Sequence, residues 1–184
     1  MPEKPTIVQK RIVANSHLFK IEALDLQFSN GEKRTFERLT RGHSGGAVLI
    51  VPMYNDETVL LVREYAAGVD RYELGLPKGR SEPGEAALDA ANRELMEEVG
   101  YGARNLRLLT SLTVAPGYLE HSTDIVLARD LYEQKYPGDE PEELEVVPWR
   151  LDNISALVKS DECTEARSIA SLYLTLEYLK NERT

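Results

Sequence analysis

The sequence predicts an α/β protein, with a mixed β-sheet flanked by helices and an antiparallel β region in front of it. Three observations carry that prediction. Residues 1–40 are strand-rich, short apolar β-branched runs follow, and two segments, Glu85 to Val99 and Thr164 to Lys180, have helical composition. The chain has 184 residues. That corresponds to one domain, or one domain with a small extension, and is long enough to bury a core without staples.

The front region reads as strands over Thr6 to Ala14, Leu18 to Phe28 and Lys33 to Thr40. Leu24-Asp25-Leu26-Gln27-Phe28 alternates apolar with polar residues, the pattern of a half-buried strand. Ser29-Asn30-Gly31 between two such runs signals a hairpin turn. Ala47 to Met53 and Thr58 to Val62 are apolar runs separated by Tyr54-Asn55-Asp56-Glu57, and read as a buried hairpin. Arg71 to Leu76 is a further short strand, after which Pro77, Lys78 and Gly79 punctuate a loop.

The next segment, Glu85 to Val99, is rich in Ala, Leu, Glu and Met, all good helix formers. Pro83 is acceptable in a first helical turn, and Gly100 supplies the stop. Leu106 to Val114 and Thr123 to Ala128 are strand candidates joined by a loop with Ala115-Pro116-Gly117-Tyr118, and Val146 to Trp149 is a short one. Ile169, Leu172, Leu176 and Leu179 repeat at helical spacing in the final helix.

Composition excludes several function classes. Hydrophobic residues are 42% and charged residues 29%, a globular balance rather than a disordered one. The single cysteine, Cys163, allows no intrachain disulfide and no multi-cysteine zinc site, which fits a reducing cytoplasm. A net charge of -9 argues against non-specific binding to nucleic acid. It would also repel a nucleotide polyphosphate unless cations mediate. The start, MPEKPTIVQKR, lacks the apolar run of a signal peptide, and the longest apolar run, Gly45 to Met53, is too short to span a bilayer. The expectation is a cytoplasmic protein with neither a nucleic-acid nor a membrane partner.

The chemistry is concentrated in GRSEPGEAALDAANRELMEEVGY, from Gly79. On a helical wheel, Glu94, Glu97 and Glu98 fall within one arc of about 100°. The apolar stripe of Leu88, Ala91, Leu95 and Val99 adjoins that arc, so the carboxylates sit at the rim of a buried face. There their mutual repulsion costs more than in open water. A charge run on a helix is ordinarily a solvated face. The alternative is a site for hard divalent cations, which take oxygen ligands. Spacing alone does not decide between the two.

The surrounding residues do. Gly79, Glu85, Arg93, Glu94, Leu95, Glu97, Glu98, Gly100 and Tyr101 resemble the Nudix box, Gly-x5-Glu-x7-Arg-Glu-aliphatic-x-Glu-Glu-x-Gly-aliphatic. Tyr101 is the one departure, aromatic where an aliphatic residue is usual. The resemblance implies a Nudix α/β/α sandwich and a divalent-metal-dependent hydrolase. It implies metal ligation by Glu94 and Glu98, with Glu97 in or near the metal shell and the Lys78 carbonyl as main-chain ligand. Gly79, Glu85, Arg93 and Gly100 are motif residues that hold the loop and helix. The cofactor expected is Mg2+, with Mn2+ able to substitute. Glu97 and Glu98 are counted among the catalytic residues as well. No Ser-His-Asp or Cys-His set is apparent.

RYELGLPKG before the box and Pro116 beyond it resemble the ADP-ribose and ADP-sugar pyrophosphatase branch of that family. Gly138 to Val146 resembles the branch's mobile acidic loop, which implies Glu140 as catalytic base and Glu142 as a further metal contact. KPTIV, FSNG, ERL, VREYA, YELG, GDEPE and EAR are similar to segments of its bacterial ADP-compounds hydrolases. The implied substrates are ADP-ribose, NADH and diadenosine polyphosphates, with AMP a common product. Relatives of this branch pair through their N-terminal part, so a homodimer is expected. The division expected is 1–44, an N-terminal dimerising β region, and 45–184, the hydrolase domain. Rival functions are a house-cleaning nucleoside triphosphate pyrophosphatase and a non-catalytic ADP-ribose-sensing domain. The intact box carboxylates count against the latter.

Other candidates carry two readings each. Arg63 either binds phosphate or forms a strand-end surface pair. Glu73 either orients the site or forms a structural ion pair. Tyr118, in the Pro-Gly loop, is a candidate for ribose contact. Tyr65 and Phe19 either stack on adenine or pack. Lys78 and Arg80 either meet phosphate or face solvent. His17, His43 and His121 are scattered, Trp149 packs the last strand, and Cys163 is assigned no chemistry.

Overall fold

The structure, a computed structural model, describes residues 2–40 and 46–182. His43 and the expected boundary after residue 44 lie outside the described residues. Two compact units form, Met1–Ser44 with Thr113–Ser122, and Gly45–Leu112 with Thr123–Thr184. The segment 113–122, assigned from sequence to the larger domain, thus clusters with the N-terminal strands.

The first unit is a three-stranded antiparallel sheet of β1 (Thr6–Asn15), β2 (Lys20–Gln27) and β3 (Lys33–Leu39). Asn30 and Gly31 turn the chain from β2 to β3, and Gly31 takes φ +86°, a backbone that favours glycine. Segment 113–122 docks along β3. Leu39 N–H donates to the Tyr118 carbonyl, Glu120 N–H donates to the Leu39 carbonyl, and Arg38 bridges Glu22 and Glu120. Ala23 and Leu24 are the buried apolar residues of this sheet, whereas β1 is exposed along its length.

The second unit is built on a seven-stranded sheet. Its strands are β4 (Ala47–Asn55), β5 (Thr58–Ala66), β6 (Arg71–Gly75), β7 (Lys78–Arg80), β8 (Tyr101–Thr113), β9 (Ser122–Glu133) and β10 (Glu145–Arg150). The order β10-β5-β4-β9-β8 forms the body, with β6 on β5 and β7 on β4. β4 runs parallel to β9 and antiparallel to β5, so the sheet is mixed. The helices are α1 (Ala87–Glu98), α2 (Ile154–Lys159) and α3 (Ala166–Glu182).

Strand periodicity separates two cores. Val48 and Ile50 point into a cluster with Ala90, Ala91 and Leu95 of α1. Leu49 and Val51 point into the other, with Ile154 and Leu157 of α2 and Leu172 of α3. The result is helix, sheet, helix.

Three expectations change. Lys78–Arg80, expected as a loop, is a strand that pairs Leu49↔Lys78, Val48↔Gly79 and Ala47↔Arg80. Tertiary pairing with β4 overrides the breakers Pro77 and Gly79. Pro83 is not in the first helical turn. It lies in a turn closed by Glu85 N–H on the Glu82 carbonyl, with Gly84 at φ +84°, and α1 begins at Ala87. α2 forms without a sequence signal, since its two buried residues, Ile154 and Leu157, are too few for a visible stripe.

Ser168 fastens α3 to the sheet. Its buried hydroxyl accepts the Leu76 N–H at 3.0 Å and donates to Glu165 at 2.9 Å. Ser168→Ala leaves a buried N–H unpartnered and is expected to cost about 1–3 kcal/mol in urea unfolding. A loss well under half that value would show the bond is dispensable.

Candidate active site

The site is assembled on α1 by Arg93. Its Nε and Nη2 donate to the two Glu85 oxygens at 3.0 and 3.1 Å, and Nη1 donates to Glu94 at 2.9 Å and Glu97 at 3.1 Å. Nη2 also reaches the Arg80 carbonyl at 2.8 Å. One guanidinium thus ties together the strand β7, the pre-helix turn and two helix carboxylates, which a single-point lysine charge would not do. Hydrogen bonding to Glu85, above all, holds Arg93 charged well beyond its usual range, and Arg93 in turn lowers the Glu85 carboxyl. Glu85 also accepts the Glu82 N–H at 2.8 Å, closing the turn.

Gly79 explains itself by space. A Cβ there would stand 1.9 Å from Glu94 Cδ, so any larger residue would push this carboxylate out of its place against β7. Next to it, Lys78 N–H donates to Glu98 Oε2 at 3.1 Å. Burial pushes the Glu98 carboxyl up to about 8, against the opposing pull of Lys78. Burial likewise raises Glu94, opposed by its bond to Arg93.

The acidic loop approaches from the other side. Its stem is fastened to the helix end by Tyr136 N–H on the Met96 carbonyl and Gln134 N–H on the Gly100 carbonyl. A cavity of about 390 Å³ lies between them, lined by Glu97, Glu98, Gly138, Glu140 and Leu144 among others. Burial raises the Glu140 carboxyl, and Glu64 and Asp139 raise it further. A second cavity, of about 450 Å³ at the β4–β5 turn, is lined by Asn55, Asp56, Asn105, Arg129, Asp130 and Glu182 among others, with Arg129 paired to Glu182.

The structure therefore gathers Lys78, Gly79, Glu85, Arg93, Glu94, Glu97, Glu98 and Glu140 around one cleft, with Gly100 ending the helix at φ +81°. Other candidates have different partners. Glu142 accepts a 2.7 Å hydrogen bond from the Tyr72 hydroxyl. Arg63 pairs with Glu145 and Glu162 at 2.8 and 2.7 Å, the surface-pair alternative. Glu73 accepts from Thr164 N–H at 2.8 Å and from Arg71 at 2.6 Å. Tyr118 belongs to the N-terminal unit with its ring exposed, as is Phe19.

Tyr65 is half exposed, packs edge to face on Tyr72 and donates to Asp70. Asp124 accepts from Ser111, and buried Thr123 accepts from Arg167. Trp149 packs against the α3-side core. Cys163 is buried, its thiol pushed up to about 11 by burial. One participant went unselected, namely Glu64, whose carboxylate pairs with the Lys78 ammonium in the cleft.

The NUDIX domain model matches residues 43–170, and the model of the NudE-type Nudix hydrolase N-terminal domain matches 5–38. The chain is a Nudix hydrolase. It is 46% identical to ADP compounds hydrolase NudE of Escherichia coli (strain K12), over 98% of this chain and 96% of that protein. It is 28% identical to the ADP-ribose pyrophosphatase of Bacillus subtilis (strain 168), over 92% and 95% of the two. A crystal structure of ADP compounds hydrolase superposes with TM-score 0.91 at 46% identity, covering 99% of this chain and 97% of that one. The fold is the Nudix fold, a mixed sheet with an antiparallel N-terminal sheet and few helices.

Nudix hydrolases generally use divalent metal ions, and the donors suit one. They are carboxylate and carbonyl oxygens, the ligand class of hard cations. Among the described residues, no three acidic, histidine or cysteine side chains already converge on one point that could hold an ion. Glu94 and Glu97 are bonded to Arg93 instead. Burial, which raises the carboxyls of Glu94 and Glu98, makes their ionised forms costly, and a bound cation would offset that cost and displace the proton.

The raised Glu98 carboxyl has a consequence for stability. Its folded-state pKa, about 8, exceeds the ordinary 4.5, so the folded form holds the proton more tightly than the unfolded form. Its contribution is fully present below about pH 4.5 and is lost as pH rises through about 8. In chelator at pH 9, Glu98→Gln is expected to melt several degrees above the unsubstituted Nudix hydrolase, and at pH 4 equally. Equal melting at both pH values would show that Glu98 ionises without strain.

Proposed function

We propose that this Nudix hydrolase cleaves the diphosphate of ADP-linked compounds, releasing AMP, with Mg2+ as cofactor and Mn2+ as substitute. One observation carries this reading: Glu98, desolvated and beside the Lys78 backbone, shares a cleft with Glu97 and the loop carboxylate Glu140, with Glu94 near enough to act on its charge. The relatives named for ADP compounds and ADP-ribose support the substrate class. ADP-ribose, NADH and diadenosine polyphosphates are the members proposed.

In this mechanism Glu94 and Glu98 would hold the cation, assisted by Glu97, the Lys78 carbonyl and Glu142, which would exchange its Tyr72 bond. Bound divalent ions supply charge neutralisation of the diphosphate and make water more acidic. Arg93 fixes the angle of Glu94 and Glu97 and is not itself a reactant. A carboxylate oxygen of Glu140 takes the proton of the attacking water. An O–P bond forms from that water as the bridging P–O bond breaks, and the phosphate oxygens carry the resulting charge. A raised carboxyl on Glu140 makes it a better base near neutral pH.

Arg63 would bind phosphate by exchanging Glu145 or Glu162, both more than half exposed. Glu73 would orient Arg71 at the start of β6. The division into a 1–44 region and a 45–184 hydrolase domain also belongs to this proposal, as do a cytoplasmic setting and a homodimer formed through the N-terminal sheet. Exposed Ile7, Val8, Ile12 and Val13 on β1 support the pairing. Among the described residues, no helix is long and apolar enough to cross a membrane.

A panel of ADP-ribose, NADH and diadenosine compounds with Mg2+, read for nucleotide products, tests the reading together with Glu140→Gln. AMP release reduced about 10²–10⁴-fold by the substitution is expected. Release of pyrophosphate from nucleoside triphosphates, without AMP from ADP-linked compounds, would favour the triphosphatase instead. An unchanged rate and pH profile in Glu140→Gln would move the base elsewhere.

A further inference from the structure

Arg93 does not account for the charge on the far side of the cleft. Its partners are Glu85, Glu94 and Glu97. Glu98, Asp139 and Glu140 remain, together with Glu64 at the end of β5. The cation placed among them is the Lys78 ammonium, which is paired with Glu64 and acts favourably on both Glu98 and Glu140.

The pairing is a product of topology. β7 is held to β4 by its register, and β5 is the antiparallel neighbour of β4, so residues 78 and 64 meet across the sheet's end. Both side chains are about two-thirds buried, at 31% and 33% exposure. Their attraction is therefore less screened than that of a surface pair. Lys78 serves twice here: its main chain lies against Glu98, and its ammonium, near enough to act on Glu98, is bonded to Glu64.

We propose that Glu64 is a positioning residue that holds the Lys78 ammonium on β5, keeping this built-in countercation from occupying the carboxylates that take the divalent ion. Without Glu64, the flexible lysine stem turns to Glu98 and Glu140 and competes with the metal. Glu64 then sets cation affinity through Lys78 rather than by ligation. This inference rests on the metal-binding role proposed for Glu98.

The test is a coupling experiment on the full chain, stripped of metal and without substrate. Mn2+ affinity is read by electron paramagnetic resonance. Glu64→Gln is expected to weaken Mn2+ binding roughly tenfold, the scale of one released charge at close range. In a Lys78→Met background the same substitution should weaken it distinctly less, because only Glu64's own field on Glu98 and Glu140 is lost and no ammonium remains to be released. Lys78→Met alone should bind Mn2+ at least as tightly as the unsubstituted chain, since the backbone carbonyl is retained. Glu64→Asp, with a carboxylate drawn back from Lys78, should weaken binding in the same direction. It replaces Glu64→Gln if the latter loses its circular dichroism.

Equal losses in the two backgrounds would overturn the proposal by showing that Glu64 acts on the ion itself. No loss in either background would overturn it by reducing the pair to a surface contact. Glu98→Gln is the control. If that substitution leaves Mn2+ affinity unchanged, the metal role of Glu98 fails first, and this inference falls with it. A normal Glu98→Gln effect with no Glu64–Lys78 coupling defeats this inference alone.

Discussion

Burying carboxylates beside one another is the constraint from which the rest of this structure follows. Ionised carboxylates with reduced access to water repel each other and lose solvation, and the molecule answers with cations and hydrogen bonds. Arg93 gathers Glu85, Glu94 and Glu97 on one side. Lys78 meets Glu98 through its backbone N–H and Glu64 through its ammonium on the other. What these cannot neutralise is left as a raised carboxyl on Glu98. The cleft thereby concentrates carboxylate oxygens that a divalent cation, displacing the Glu98 proton, could bind.

The sheet exists, in this account, to hold that arrangement still. β4 contributes alternate residues to two cores, packing α1 on one face and α2 with α3 on the other. The same strand carries β7 on its edge, and so sets Gly79 against the Glu94 carboxylate, which a side chain at residue 79 would displace. Packing density makes this placement rigid, since a shift of α1 would open the core around Ala90, Ala91 and Leu95. Catalytic geometry and core packing are thus one problem here, solved by a helix whose apolar stripe and acidic arc are adjacent.

Much of this was legible because it is local. The box residues from Gly79 to Gly100 interact over one loop and one helix, so their spacing alone locates Glu85, Arg93, Glu94 and Glu98 in space. The hairpin of β4 and β5, the turn at Asn30 and Gly31, and the long α3 were similarly legible in period and turn chemistry. What was not legible is non-local. β7 forms despite Pro77 and Gly79 because β4 supplies its partner. The parallel pairing of β4 with β9 joins strands far apart in sequence. Segment 113–122 clusters with β3 through backbone bonds that no composition announces. Glu64 escaped selection for the same reason, since its partner Lys78 becomes a neighbour only once the sheet is assembled. Arg63 and Glu73 show the converse, with residue types suited to phosphate or site orientation already engaged by Glu162, Glu145, Thr164 and Arg71.

The central claim is that the α1 carboxylates and the Lys78 carbonyl together bind the divalent ion. Anomalous X-ray diffraction from a crystal equilibrated with Mn2+ tests it most directly. The account predicts a manganese peak within coordination distance of Glu94, Glu98 and the Lys78 carbonyl oxygen. A peak bound elsewhere, with Glu98 turned to solvent, would contradict it.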